Sequence, residues 1–161
     1  MNADHAKVIE AAADRLWDTV ESYDLDPDNS LAIVRQAYLS SDCDDFSWVL
    51  SRMTGWEVVQ ATWEAPGHTM GHHTMVKSPD GRLLDVIGWT DEQAAAKRYR
   101  KPESVRFSNV PQASPLNDLC DADVNNIIAV IRALPDAPFQ DEAFHAESRL
   151  LEAQPTTTLQ G

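Results

Sequence analysis

A chain of 161 residues with 43% hydrophobic content and five Trp has the length and apolar content for one compact domain with its own core. Its formal net charge of −13 excludes nucleic-acid binding by general electrostatics, and no apolar run is long enough to span a membrane. The charge is uneven: residues 1–50 carry 11 acids against 3 bases, residues 51–110 carry 7 against 8, and residues 111–161 carry 8 against 2. Acidic flanks around a near-neutral middle favour solubility, and they also suit a basic protein partner. The N-terminal residues lack the charged-then-apolar design of a secretion signal, so a cytoplasmic protein is expected. Its two Cys are then expected to be reduced thiols.

Taken in order, the spacing of Val8, Ala12, Leu16, Trp17 and Val20 predicts a helix over 3–22. Pro27 marks a loop, and Ser30 caps a second helix through Tyr38. Ser41 or Asp42 caps a third, with Asp44 or Asp45 at the capping-box position. Phe46, Val49, Leu50 and Met53 repeat at helical spacing, and Gly55 is a natural stop. Cys43 therefore falls in the first turn of a helix, where unpaired backbone N–H groups and the dipole favour a thiolate. Trp56 to Trp63 is rich in β-formers and reads as a strand. Residues 65–71, with two glycines, form a loop expected to cover the site.

The run from His72 to Gly88 reads as a β-hairpin with chemistry on one face. Pro79-Asp80-Gly81 suits a type I turn closed by a glycine bulge, a three-residue loop. Ser78 then faces Arg82, Met75 faces Asp85, and His73 faces Ile87. His73, Met75, Asp85 and Ile87 share one side, because side chains alternate along a strand. His73 and Asp85 become diagonal neighbours, close enough for a carboxylate to orient an imidazole. A two-residue loop would put His72 on that side instead.

Beyond the hairpin, Thr90 caps a helix through Arg100, with Gln93 at the capping-box position. Lys97, Arg98, Arg100 and Lys101 form a basic cluster, read as the charge pattern of a helix end or as a patch for an acidic substrate. Val105 to Val110 reads as a last strand. Asp121 or Asp123 caps a helix to about Leu134 with Val124, Ile127, Ile128 and Ile131 on one face. Residues 140–152 make a further amphipathic helix through Phe144, Leu150 and Leu151, and 153–161 read as a disordered tail.

A Cys at a helix start, then a His strand, then an Asp strand is the chain order of a cysteine hydrolase, with Cys43 as nucleophile, His73 as general base and Asp85 as orienter. The Cys43 N–H and a group before it, Ser40 or Ser41, would be the oxyanion donors. Residues Cys43, His73, Val76, Pro79 to Arg82, Leu84 and Asp85 resemble the papain-like superfamily in its small bacterial and phage forms, such as NlpC/P60-type domains. The resemblance covers about positions 40 to 90. It implies a single α+β domain over 1–152, with a Cys-bearing helix packed on a small antiparallel β-meander and helices flanking it on both sides. It also implies a thiol hydrolase or acyl transferase for an amide, ester or thioester, with a protein or peptide-like substrate touching Ser41, His68, His72 and Trp89. Neither a cofactor nor a metal is expected. Asp42, Asp44 and Asp45 depart from the neutral surroundings usual for such a Cys, since negative charge opposes a thiolate. Two other readings compete. One is an acidic inhibitor or adaptor that binds a basic partner. The other is a metal-dependent hydrolase using His68, His72 and His73. Cys120, beside Asp121 and Asp123, is a second nucleophile candidate or a core thiol.

Overall fold

Three helices open the chain, and local polar groups start each of them. The computed structural model describes residues 1–65, 67, 70–110 and 119–147. Helix α1 spans Ala3–Val20, and the Asn2 side chain accepts from His5 N at 2.8 Å. Helix α2 spans Ser30–Ser40. Asn29 caps it one residue earlier than expected, accepting from Ala32 N at 3.1 Å. Helix α3 spans Cys43–Thr54 and ends on Gly55, whose φ of 76° provides the left-handed cap that residues with a Cβ adopt at a cost. Phe46, Val49, Leu50 and Met53 form its buried face, as their spacing predicts.

Among the described residues, five antiparallel strands follow: β1 (Glu57–Glu64), β2 (Met70–Lys77), β3 (Leu83–Asp85), β4 (Gly88–Thr90) and β5 (Arg106–Asn109), in the order β4-β3-β2-β1-β5. The β2–β3 hairpin has the predicted register. Val76 pairs with Leu84 and Lys77 with Leu83, and Ser78 N donates to Arg82 O at 2.9 Å. Gly81, at φ +88°, completes the three-residue loop.

One part of that expectation is overturned. The second strand does not run on to place Ile87 opposite His73. It stops at Asp85, turns through Val86 and Ile87, and returns as β4 with Asp85 paired to Gly88. The Asp85 side chain drives the turn, since its Oδ1 accepts from Ile87 N at 2.9 Å, the hydrogen bond of an Asx turn. Ile87 is left exposed.

Alternation along the strands gives the sheet two covered faces. Val76 and Leu84 join α1, α2, α3 and helix α5 (Asp121–Ala133) in the larger core, which includes the fully buried Phe46, Leu50 and Ile128. Met75 and Leu83 face a smaller cluster with Val59, Ala95 and Val105. Helix α4 covers this side, but it spans only Glu92–Ala96, shorter than the helix expected through Arg100. Thr90 is committed to pairing with Leu83, so Asp91 takes the cap, accepting from Ala94 N at 2.8 Å. In α5 the cap is Cys120, one residue before Asp121, and Ile127, Ile128, Val130 and Ile131 are buried. Helix α6 spans Glu142–Glu147 with Phe144 buried. The expected contributions of Leu150 and Leu151, and the 153–161 tail, lie outside the described residues. The chain is thus a mixed α+β protein, and no described helix is long and apolar enough to cross a membrane.

Candidate active site

The site forms where the start of α3 meets β2 at the level where β3 ends. Two hydrogen bonds set that meeting. Ser47 Oγ, one turn into α3, donates to the Thr74 carbonyl at 2.8 Å in a buried position. Thr74 Oγ1 donates back to Asp44 Oδ1 at 3.0 Å. The first turn of α3 is thereby held against the middle of β2, and Cys43 lies buried beside it at 4% exposure.

His73 and Asp85 are each 1% exposed, and His73 Nε2 lies 2.9 Å from Asp85 Oδ2. The hairpin register explains the contact. With Val76 opposite Leu84, His73 and Asp85 become diagonal neighbours on the same face. Asp85 therefore has two tasks: Oδ1 closes the turn into β4, and Oδ2 holds the imidazole. The other ring nitrogen, Nδ1, is buried and makes no hydrogen bond among the described residues.

Electrostatics couple Cys43 to this pair. Burial alone would lower the His73 pKa. The hydrogen bond to Asp85, then side-chain contact with Cys43, then the charges of both groups overcome it and raise the imidazole to about 9. Burial would raise Asp85, but its bond to His73 and the nearby Arg98 guanidinium hold it below the usual carboxylate value.

Arg98 is the participant that sequence reasoning missed. Its NH1 donates to Asp85 Oδ2 at 2.6 Å, and its side chain is 28% exposed. In sequence the basic cluster reads as a helix-end pattern or a substrate patch. Because α4 stops at Ala96, the chain turns and carries Arg98 back over β3. The signal that could have found it was the buried carboxylate, which needs more than one cationic partner to stay ionised. Tyr99 follows, stacked on Trp63 with ring centroids 3.8 Å apart. Burial, then the charges of Asp85 and Cys43 against that of Arg98, push its hydroxyl up to about 12. This aromatic pair adjoins the site.

The acids crowding Cys43 are less uniformly charged than their number suggests. Burial raises Asp42, and burial together with Asp42, Asp44 and Asp123 raises Asp45 to about 6. Asp44 stays close to the sulfur, with Cys43 Sγ 3.8 Å from its Oδ1. The Asp42 side chain makes no capping hydrogen bond. Such a helix start leaves backbone N–H groups without an intrahelical partner.

Several expected contacts fall elsewhere. Trp89 pairs with Leu84, so it projects from the face opposite Asp85. It packs on Trp56 and lies under the Arg82 guanidinium at 3.9 Å. There it lines a cavity of about 400 Å³ at the hairpin-turn end, with Trp56, Arg82 and Phe144. Ser41 is exposed, and its N–H is already committed to Ala37 O at 3.0 Å. Ser40 Oγ donates to Gln36 O, so that hydroxyl is committed within α2. His72 points to Asp44, with its Nε2 3.6 Å from Oδ2, while His73 turns to Asp85. The two histidines thus serve different partners. His68 lies outside the described residues. Cys120 is exposed, not a core thiol, and its Sγ lies 3.2 Å from Asp123 Oδ2. Among the described residues, Cys43, Asp44 and His72 have metal-ligating character, with donor atoms within 4.8 Å of one another. No protein-family model, curated protein or solved structure matches the chain.

Proposed function

We propose that the protein is a thiol hydrolase or acyl transferase of papain-like type, acting on an amide, ester or thioester of a peptide-like substrate. The observation that carries this reading is the buried His73–Asp85 pair, 2.9 Å apart, set against a thiol at the first residue of a helix. With Nε2 held by Asp85, Nδ1 is the nitrogen left to take the Cys43 proton, a step open to the neutral form of His73, which its Asp85 partner makes strongly basic. The sulfur then attacks the acyl carbon, and backbone N–H groups at the start of α3 receive the developing oxyanion. As the tetrahedral adduct collapses, the imidazolium returns the proton to the leaving amine, alcohol or thiol. Water, or a second nucleophile, gives its proton to His73 and cleaves the thioester. Asp85 fixes the ring and offsets the imidazolium charge, and Arg98 keeps Asp85 ionised.

Incubation with p-nitrophenyl acetate tests this. An acetyl adduct confined to the Cys43 peptide, with nitrophenolate release lost in Cys43→Ala, supports it. Acylation of Cys120 to the same extent would overturn it. The closeness of Asp44 to the sulfur favours a second reading, a non-catalytic binder of a basic partner. That reading expects no adduct on Cys43.

A further inference from the structure

Cys43 has a second set of neighbours on which acyl chemistry makes no demand. Asp44 and His72 approach the sulfur from beside the His73–Asp85 pair, and both are open to solvent, with 42% and 49% of their side chains exposed. Their donor atoms surround a gap without closing it. The 3.6 Å between His72 Nε2 and Asp44 Oδ2 is beyond the range of an N–H···O hydrogen bond. The 3.8 Å between Cys43 Sγ and Asp44 Oδ1 is long even for a thiol donor.

The three donor atoms lie within 4.8 Å of one another, slightly wider than the edges of a metal tetrahedron, so a small inward shift of the exposed Asp44 and His72 side chains closes the set. Zn–S of about 2.3 Å and Zn–N or Zn–O of about 2.0–2.2 Å place neighbouring ligand atoms roughly 3.3–3.7 Å apart. The donor types agree: one thiolate, one imidazole and one carboxylate form a set suited to a borderline-soft cation. Mg²⁺ and Ca²⁺ require oxygen-rich shells, which a single carboxylate cannot supply. The positions are also preorganised. Cys43 and Asp44 begin α3, His72 sits within β2, and the Ser47–Thr74 and Thr74–Asp44 hydrogen bonds fix one element on the other.

We propose that Cys43, Asp44 and His72 bind a divalent cation of the Zn²⁺ class and that the bound ion switches the Cys43 nucleophile off. Binding breaks the Cys43 S–H bond and forms a metal–sulfur bond, releasing the proton to solvent. Neutral His72 and ionised Asp44 complete three protein ligands, and water takes the fourth place. The sulfur electron pair that would attack an acyl carbon is then held by the metal. The inhibitory consequence rests on the thiol-enzyme reading, whereas the binding itself does not.

The test uses the metal-free full chain, iodoacetamide and peptide-level mass spectrometry, which separates Cys43 from Cys120. One equivalent of Zn²⁺ should slow Cys43 alkylation about tenfold or more, and Mg²⁺ should not. Co²⁺ should produce a thiolate-to-cobalt absorption in the near ultraviolet that is absent in Cys43→Ser. In His72→Ala and in Asp44→Asn, the zinc effect, taken against each variant's own metal-free rate, should fall below about twofold. Absence of zinc protection in the unaltered chain, or full protection surviving in either variant, overturns the proposal. The metal-free ratio of Cys43 to Cys120 rates reads the thiol-enzyme proposal separately. A fast Cys43 that zinc leaves unprotected removes the cation site alone, and a slow Cys43 that zinc protects removes the nucleophile alone.

Discussion

The chain carries the same local feature twice. Cys43 opens α3 between Asp42 and Asp44, and Cys120 caps α5 beside Asp121 and Asp123. Each has a helix start behind it and a carboxylate within 4 Å of the sulfur. They differ in what lies across from them. Cys120 is exposed and spends its side chain on the capping box with Asp123. Cys43 is buried against a strand that presents His73, itself held by Asp85 and, through Asp85, by Arg98. A thiol at a helix start is a cheap local feature. A thiol facing an oriented imidazole requires a hairpin register, a turn that ends β3 on Asp85, and a returning chain that carries a cation.

The sharpest way to break that comparison is to remove each sulfur in turn. Cys43→Ala should lower p-nitrophenyl acetate turnover by on the order of 10³-fold or more, to background, as expected when a nucleophile is lost. Cys120→Ser should leave turnover within about twofold. Equal losses in steady-state assays would mean that the two sites are not distinct.

Next in size is the Asp85 centre. Asp85→Ala leaves a buried imidazolium without its partner and strips the turn of its Asx bond. A loss of about 3–5 kcal/mol in denaturant unfolding is expected. Arg98 is more than a quarter exposed, so solvent screens its share, and Arg98→Ala should cost only about 1 kcal/mol. A loss for Arg98→Ala as large as that for Asp85→Ala would make the arginine a principal anchor of the site. The same pair sets the pH dependence of stability. His73 is raised from 6.5 to about 9, so its contribution is complete below about 6.5 and is lost as pH rises through 9. Asp85 is lowered from 3.8, so its contribution is present above about 4 and is lost as pH falls. With chelator present, the melting temperature should be highest between about pH 4 and 6.5. In His73→Ala the decline from pH 6.5 to 9 should flatten. An unchanged alkaline decline in that variant would detach it from His73.

His73 also separates the two thiols kinetically. His73→Ala should slow turnover on the acetyl ester by about 10²-fold or more, the range for a general base. Iodoacetamide should then find Cys43 no faster than Cys120. Retention of a fast Cys43 in this variant would place its activation in the helix start alone.

Legibility in the sequence followed the range of the interaction that makes each feature. The hairpin register was readable because Pro79-Asp80-Gly81 fixes a local loop, and a fixed loop decides which side chains share a face. The helices were readable from apolar spacing. Caps shifted by a residue where a neighbouring polar group won, as Asn29 did over Ser30 and Asp91 over Thr90. The turn at Val86–Ile87 was hidden because it depends on a side chain, Asp85 Oδ1 on Ile87 N, in a stretch whose apolar residues look like continuing strand. Arg98 was hidden for a stronger reason. Its partner lies thirteen residues earlier, and only the early end of α4 brings the two together. The face of Trp89 is hidden as well, because it follows from pairing with Leu84, and that pairing exists only after the turn.

The smallest expected effect tests how far the carboxylates oppose the thiol. Asp42 flanks Cys43 without making a capping bond, so Asp42→Asn removes charge and little else. Charges at a helix end act at roughly 0.3–1 kcal/mol, which corresponds to about a twofold to fivefold rise in the metal-free alkylation rate of Cys43 near neutral pH. Burial already raises the Asp42 pKa, which leaves part of that carboxylate's charge unexpressed and keeps the expected gain toward the lower end. The matched substitution at the other helix, Asp121→Asn beside Cys120, should change the Cys120 rate by less. That thiol is exposed, and solvent and salt screen charges there. The burial of Cys43 is what makes its neighbours' charges count, and the same burial makes His73 effective. If Asp42→Asn and Asp121→Asn accelerate their thiols equally, burial is not what distinguishes the two cysteines. The whole difference would then rest on the contact with His73.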